Sequence, residues 1–271
     1  KALDSGYKIV IILAGLLNSL RRQTQIRADE SIIGVDSSLS AKNLSLSEKL
    51  IGVGKNNRNQ RPFSVTTVDG DFNKQYATQL QFEIEHSANP LVFVVKKNVS
   101  VIKNLIEWFK NNNLDLSKFP LLLIDDEADH ASINTNNDDL NPTRTNQRIR
   151  ELLELFQKNV YLGYTATPFA NIFINPETDD DMMNDLFPEN FIMTLDPPSN
   201  YFGADKIFLD QNSNVIRTVN DFSDFLPFSH KISQIPSFIP ESLKTSIRVY
   251  ILACTIRILR DQKNDHNSML V

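Results

Sequence analysis

Four short apolar runs punctuate the chain: Lys8–Leu13 (KIVIIL), Leu91–Val95 (LVFVV), Leu121–Asp125 (LLLID) and Val160–Tyr164 (VYLGY). Continuous runs of this length, bounded by polar residues, read as strands, the first three of them buried on both faces as in parallel sheets. Between them the apolar positions take helical spacing. Val99–Asn111 places Ile102, Leu105, Ile106 and Phe109 on one face, and Arg148–Gln157 places Ile149, Leu152, Leu153 and Phe156 on one face. Trp108 lies beside the first of these faces and reads as packing. Leu16–Arg27 and Asn73–His86 are further predicted helices, and Ser64–Val68 a short strand. Strands alternating with helices imply βαβ units, right-handed crossovers and a mostly parallel sheet. The predicted class is α/β.

Two regions break the alternation. Ala28–Gln60 is rich in Ser and Asn, with small apolar islands at Ile32-Ile33 and Leu50-Ile51, and reads as a loop-rich excursion. After Asn175 the chain carries Pro176, Pro188, Pro197, Pro198, Pro227, Pro236 and Pro240, which interrupt any long element. An acidic loop at Asp179–Asp181, short strands at Phe191–Leu195 and Lys206–Leu209, and a closing helix over 242–262 are expected there. The predicted organisation is one domain over 1–175 and a mixed connector region over 176–271. Both ends read as cut. Lys1–Tyr7 resembles the end of a helix, and Asn267–Val271 the start of a strand. There is no internal repeat and no heptad run.

Composition narrows the class without deciding it. A 41% hydrophobic and 23% charged chain is that of a globular protein. No run approaches the ~20 apolar residues that span a bilayer, and Lys1–Val10 lacks a signal-peptide layout, so a cytoplasmic protein without a membrane partner is expected. The single Cys254 sits in an apolar helical pattern and reads as core packing. A net charge of -5 argues against nucleic-acid binding driven by bulk charge. It leaves room for local basic patches at Arg21-Arg22 through Arg27, Lys55 through Arg61 and Arg144 through Arg150.

The chemistry concentrates where one apolar run meets a cluster of acids, LLLIDDEADH (Leu121–His130). In open α/β sheets ligands bind at the carboxyl ends of the strands. Acids this dense repel one another and call for a cation or a basic partner. The string is a Walker B pattern. Asp126 would face a nucleotide-bound Mg²⁺, and Glu127 would orient and deprotonate the attacking water. Asp125 is an extra acid and a second metal candidate, and the pattern leaves open which of the pair points into the site. One helix and one strand further on, YTATP (Tyr164–Pro168) ends another apolar run. The pair of motifs resembles that of superfamily 2 helicases, and the resemblance makes Thr165 and Thr167, with Asp129 and His130, a candidate link between the nucleotide site and a nucleic-acid path.

These stretches, with AGLLNSLRRQTQIRADE (Ala14–Glu30), VVKKN (Val94–Asn98), GYTATPFANIFINP (Gly163–Pro176) and LDPPSNYFGADKIF (Leu195–Phe208), resemble the Z-one domain of bacterial proteins assigned as endonucleases. That domain is built on a superfamily 2 helicase-like ATPase core. The resemblance implies a RecA-like P-loop NTPase lobe, ATP and Mg²⁺ as cofactors, and DNA as a partner held through its backbone. It also implies a restriction or phage-defence setting with partner proteins from the same operon. Arg21, Arg22 and Arg27, and then Lys96, Lys97 and Asn98, fall where such a lobe grips nucleic-acid backbone.

The chain departs from that pattern in one respect. No G-x-x-x-x-G-K-[ST] run occurs. Gly52-Val53-Gly54-Lys55 lacks the spacing and has Asn56 where a Mg²⁺-binding hydroxyl is needed. A phosphate cradle and a second motor lobe are therefore expected to lie outside these residues, and the chain alone is expected not to hydrolyse ATP. His86, His130, His230 and His266 lack zinc-ligand spacing. Glu83 and Glu85 lack a nuclease-type Lys partner. Two other readings remain: a metal-dependent endonuclease using the Asp126 cluster directly, and a non-catalytic NTPase-derived scaffold.

Overall fold

All four apolar runs become strands, and a fifth, two-residue strand joins them. The computed structural model describes residues 3–56, 61–79, 89–111, 115–130, 132, 143–172, 174, 179–180, 183–184, 186–210, 214–223, 225–236, 238–262 and 266–271. The strands are β1 (Ile9–Ala14), β2 (Phe63–Ser64), β3 (Leu91–Lys96), β4 (Leu121–Asp126) and β5 (Asn159–Tyr164). They form one sheet in the order β2-β3-β1-β4-β5, every pairing parallel. The fold is α/β. The helices are α1 (Asn18–Ala28), α2 (Lys74–Gln79), α3 (Val99–Asn111), α4 (Arg144–Glu154), α5 (Phe169–Ile172) and α6 (Glu241–Leu259). A small hairpin pairs β6 (Asp179–Asp180) with β7 (Met183–Asn184).

Strand order decides which face each helix covers. The chain runs from β1 out to β2, returns through β3, and then passes to the other side of β1 for β4 and β5. Right-handed crossovers in opposite directions put their helices on opposite faces. On one face α2, α3 and α4 pack on Ile9, Ile11 and Leu13 of β1 with Phe93 and Leu123. There Phe93, Trp108 and Phe109 stack with centroids 5.0–6.0 Å apart, so Trp108 is core, as its position on α3 predicts. The other face is thinner. Val10, Ile12 and Ala14 with Val92 and Val94 meet Ala28 at the end of α1 and Ile33 beyond it. The reversal of direction lies between β1 and β4, the place in open α/β sheets where ligands bind.

The inward face of α1 is polar. Arg21, Gln25 and the following Asp29, spaced four apart, are 4%, 0% and 1% exposed. Gln25 Nε2 donates to Asp29 Oδ1 (2.8 Å) and Gln25 Oε1 accepts from Thr66 Oγ1 (2.8 Å). Asp29 Oδ2 accepts from the Ser37 amide and hydroxyl. Burial pushes the Asp29 carboxyl above its ordinary value, against the lowering effect of the Ser37 and Gln25 bonds. Buried polar groups are tolerable because they are satisfied, and here the bonds pin α1 to the segments at 37 and 64–68.

The excursion after α1 is more ordered than its composition predicts. Asp29–Ile33 continues the helix as a π turn ending at Gly34, and 3-10 turns form at Leu39–Ala41 and Gly52–Lys55. The GVGK glycines serve packing. A Cβ on Gly54 would lie 1.8 Å from the Gly34 carbonyl oxygen, so only glycine lets these two backbones touch.

Several boundaries shift. The expected Ser64–Val68 strand pairs only at Phe63–Ser64, and the helix expected from Arg148 begins at Arg144. Of the helix expected over 73–86, Lys74–Gln79 forms, Asn73 precedes it, and 80–86, with Glu83, Glu85 and His86, lies outside the described residues. So does part of the acidic loop expected at Asp179–Asp181.

Two compact units are distinguished, Lys1–Met193 and Thr194–Val271; the boundary expected at residue 175 falls inside the first. In the second, α6 forms as expected, with Asp221 Oδ2 accepting from the Ser242 amide in its first turn (2.9 Å). The strands expected at Phe191–Leu195 and Lys206–Leu209 are absent: the former carries no regular structure and the latter lies in a π turn over Asp205–Leu209. No helix among the described residues is long and apolar enough to cross a membrane.

Candidate functional site

The acid string leaves the sheet as expected, at the carboxyl end of β4 next to that of β1. Its five polar residues are sorted by depth. Asp125 is fully buried, Asp126, Glu127 and His130 are exposed, and Asp129 is intermediate. The strand ends in a tight turn, closed by the His130 amide donating to the Glu127 carbonyl (2.8 Å). Glu127 takes a left-handed conformation, φ 55°. That conformation costs a non-glycine residue about 1–3 kcal/mol and persists only where the surroundings dictate it. The Glu127 carboxylate lies over the β1–α1 turn: a Cβ at Gly15 would sit 3.0 Å from Glu127 Oε2. A shallow depression of about 340 Å³ is lined by Glu127, Asp129, His130 and Ala166. A second, of about 410 Å³, lies at the opposite, amino end of the strands beside Pro120 and Asn159.

Asp129 joins the two motifs. Its Oδ1 accepts from Thr165 Oγ1 (2.7 Å) and its Oδ2 from Thr167 Oγ1 (2.6 Å). The Ala128 amide donates to the Tyr164 carbonyl (2.9 Å), continuing the β4–β5 ladder into the turn. Thr167 and Thr165 hold the Asp129 carboxyl below its ordinary value. The bonds stabilise the ionised form, so their contribution is complete above the ordinary aspartate range and is lost as pH falls through the lower, folded value. Carboxyl ¹³C NMR of Asp129 should therefore show a depressed midpoint that returns toward the ordinary value in Thr165→Val/Thr167→Val.

Two residues expected in the site lie in the core. Asp125, a metal candidate by sequence, is 0% exposed; its Oδ1 is 2.7 Å from Lys97 Nζ, and its Oδ2 accepts from the Tyr161 hydroxyl (2.7 Å). Strand alternation is the reason: with Asp126 turned outward, Asp125 points to the other side. Lys97, expected on phosphate, is 1% exposed, and its ammonium donates to the carbonyls of Asp126 (2.8 Å), Glu127 (2.8 Å) and His130 (3.1 Å). Its three protons go to carbonyls, so the contact with Asp125 is one of charge.

The remaining basic candidates divide. Arg21 is buried, and its guanidinium donates to the carbonyls of Thr67 (3.0 Å) and Val68 (2.6 Å). Burial lowers its pKa, with Asp71 opposing. Arg22 is exposed and 3.5 Å from Asp69. Arg27 is exposed and Lys96 half-buried. Asn98 caps α3, its Oδ1 accepting from the Ser100 amide (2.9 Å). Arg21→Ala is expected to destabilise the fold by about 2–4 kcal/mol, because buried carbonyls lose charged donors. Arg27→Ala should change stability by no more than about 0.5 kcal/mol. Urea unfolding of the two variants separates a structural arginine from a surface one.

Tyr161, Gly15 and Asn171, whose Nδ2 reaches the Ala128 carbonyl (3.3 Å), also shape the acid turn and were not expected from sequence. Gly15 alone carried a signal, as a glycine directly after a buried strand. Among the described residues no cluster of three or more His, Cys, Asp or Glu is arranged to cage a metal. Mg²⁺ bound through a nucleotide needs only one or two carboxylates, with phosphate and water supplying the rest. The exposed carboxylate of Asp126 suits that role. No protein-family model, curated protein or solved structure matches the chain.

Proposed function

We propose that the first unit is the acid-bearing lobe of an ATP-dependent, DNA-acting hydrolase. It would be RecA-like, of the superfamily 2 type, in the manner of the Z-one proteins whose motifs it resembles. The observation that carries this reading is the double bond-pair from Asp129 to Thr165 and Thr167. It ties the turn that carries an exposed Asp-Glu pair to a hydroxyl segment just past the neighbouring parallel strand, which is what coupling nucleotide state to movement needs. Asp126 would hold Mg²⁺ through water, supplying charge stabilisation to the transferring phosphoryl group. Glu127 would accept the proton of the water that attacks the γ-phosphorus, while the β–γ bridging oxygen leaves with the bonding electrons as part of ADP. His130 borders the same depression and would sense the state of the site. The phosphate cradle would come from residues outside these 271. One edge of β5 is unpaired among the described residues, and Val160 and Tyr164 on it are exposed, which leaves room for a further strand beside the TATP segment.

DNA would be held by its backbone, without base readout, through Arg22, Arg27 and Lys96. Arg27→Ala should weaken binding similarly on unrelated sequences and lower the salt slope by roughly one. A cytoplasmic defence setting, with partner proteins, follows from the same reading.

The test is phosphate release from Mg·ATP, with and without DNA, by a protein that joins this chain to a phosphate cradle. DNA-stimulated release is expected there, and none above background from the 271-residue chain. Robust turnover by the chain alone would overturn this division of the site. ATP-independent nicking of DNA by added metal, abolished in Asp126→Ala, would replace the reading with a nuclease. Neither activity would leave a scaffold.

A further inference from the structure

We propose that Lys97 is a positioning residue that holds Glu127 in its left-handed conformation and so aims the candidate base at the β1–α1 turn. Three carbonyls converge on its ammonium, those of Asp126, Glu127 and His130, at 2.8, 2.8 and 3.1 Å. The first two flank the φ and ψ of Glu127, so the ammonium fixes the orientation of both peptide planes around the one strained residue of the turn. The third closes the turn two residues beyond Ala128. The lysine is itself held from behind: its backbone amide donates to the Ala14 carbonyl at the end of β1 (2.9 Å), and Asp125 keeps its charge in place. The side chain is 1% exposed, so water does not compete for those protons. An ammonium can aim three donors at converging acceptors, whereas the flat guanidinium of an arginine cannot.

Neutralising Asp125 and fixing the turn are separable. Lys97→Met/Asp125→Asn removes both charges of the pair and leaves no orphan ion, while the amide oxygen of the new side chain can still accept from Tyr161. In the 271-residue chain, amide hydrogen exchange is read at Ala128, whose N–H bonds across to the Tyr164 carbonyl, and at His130, whose N–H bonds to the Glu127 carbonyl within the turn, with β1 and β3 as a control. The double variant should keep protection in β1 and β3 and lose at least about tenfold at Ala128 and His130, equivalent to about 1.4 kcal/mol of local opening. Full protection in the turn would mean that Lys97 only neutralises Asp125, and would overturn the proposal. Should the double variant not fold, Asp125→Asn alone decides. With Lys97 still on the carbonyls the turn amides keep their protection; their loss would put the clamp in the carboxylate and overturn the proposal. A second arm rests on the ATPase reading. In the cradle-containing protein the double variant should lower kcat at least about 30-fold with KM for Mg·ATP changed less than about threefold, and Lys97→Arg should not rescue it. Restoration of kcat by Lys97→Arg would overturn the aiming role. An inactive wild-type protein would sink the ATPase reading alone, because the exchange arm needs no turnover.

Discussion

Glu127→Gln is expected to reduce ATP turnover by about 10²–10⁴-fold, the range that a positioned general base contributes. The measurement is kcat for phosphate release by the protein that joins this chain to a phosphate cradle, at saturating Mg·ATP. Glutamine keeps the size and the hydrogen-bonding reach of the side chain and removes only its capacity to take a proton. Glu127 is exposed and lies outside the Lys97–Asp125 pair, so the fold should be indifferent to the change. On the proposed reading KM should move little, since the carboxylate would act on water and not on the nucleotide. Undiminished kcat in a folded Glu127→Gln variant would remove Glu127 from the chemistry. Asp126→Asn is the informative companion: loss of the charge proposed to hold Mg²⁺ should raise the Mg²⁺ concentration needed for half-maximal rate, an effect that Glu127→Gln should lack.

The largest effect on stability should come from Lys97→Met alone. The ammonium and its partner carboxylate are 1% and 0% exposed, and removing one member of such a pair leaves the other uncompensated. Breaks of this kind cost about 3–5 kcal/mol, a large part of the roughly 5–15 kcal/mol that holds a typical domain. Three carbonyls lose their donor as well. Urea denaturation should show a lower midpoint with an unchanged slope. Adding Asp125→Asn should recover part of the loss, because no buried charge is then left over. A single variant as stable as the wild type would mean that water reaches Asp125, contrary to its burial.

The centre of the sheet was legible because β1, β3 and most of β4 are buried on both faces, whereas β5 is largely exposed and was marked only by its apolar run. An uninterrupted apolar run has few other ways to be satisfied, and α3 announced itself by four inward residues at helical spacing. That Asp129 bonds to both Thr165 and Thr167 was not legible; the sequence only grouped them, because each lies just past the end of an apolar run. The buried charges were not legible. A lysine or arginine in a basic run is usually solvated, and the carbonyls that draw Arg21 inward lie 46 and 47 residues away in sequence. Two hints existed. Lys96 and Lys97 are adjacent, and alternation turns neighbours to opposite sides. The helix carrying Arg21 has hardly any apolar face of its own, so whatever it turned inward had to be polar. The second unit misled in the opposite direction. Its apolar stretch at Lys206–Leu209 looked like a strand and takes a π turn, and Phe191–Leu195, which straddles the boundary, takes no regular structure.

The polar inward face of α1 bears on how this lobe can move. An apolar helix face is indifferent to small slips, because one methyl replaces another. A face made of Arg21, Gln25 and Asp29 is keyed. Sliding it by one turn, about 5.4 Å, would bring donors against donors and leave the Thr67 and Val68 carbonyls empty. The turn at Gly15 that faces Glu127 is thus a fixed jaw. Any opening between the β1 and β4 ends must carry α1 together with the 64–68 segment as one piece, or must come from the other side, where the acids and the hydroxyls of the β5 end meet.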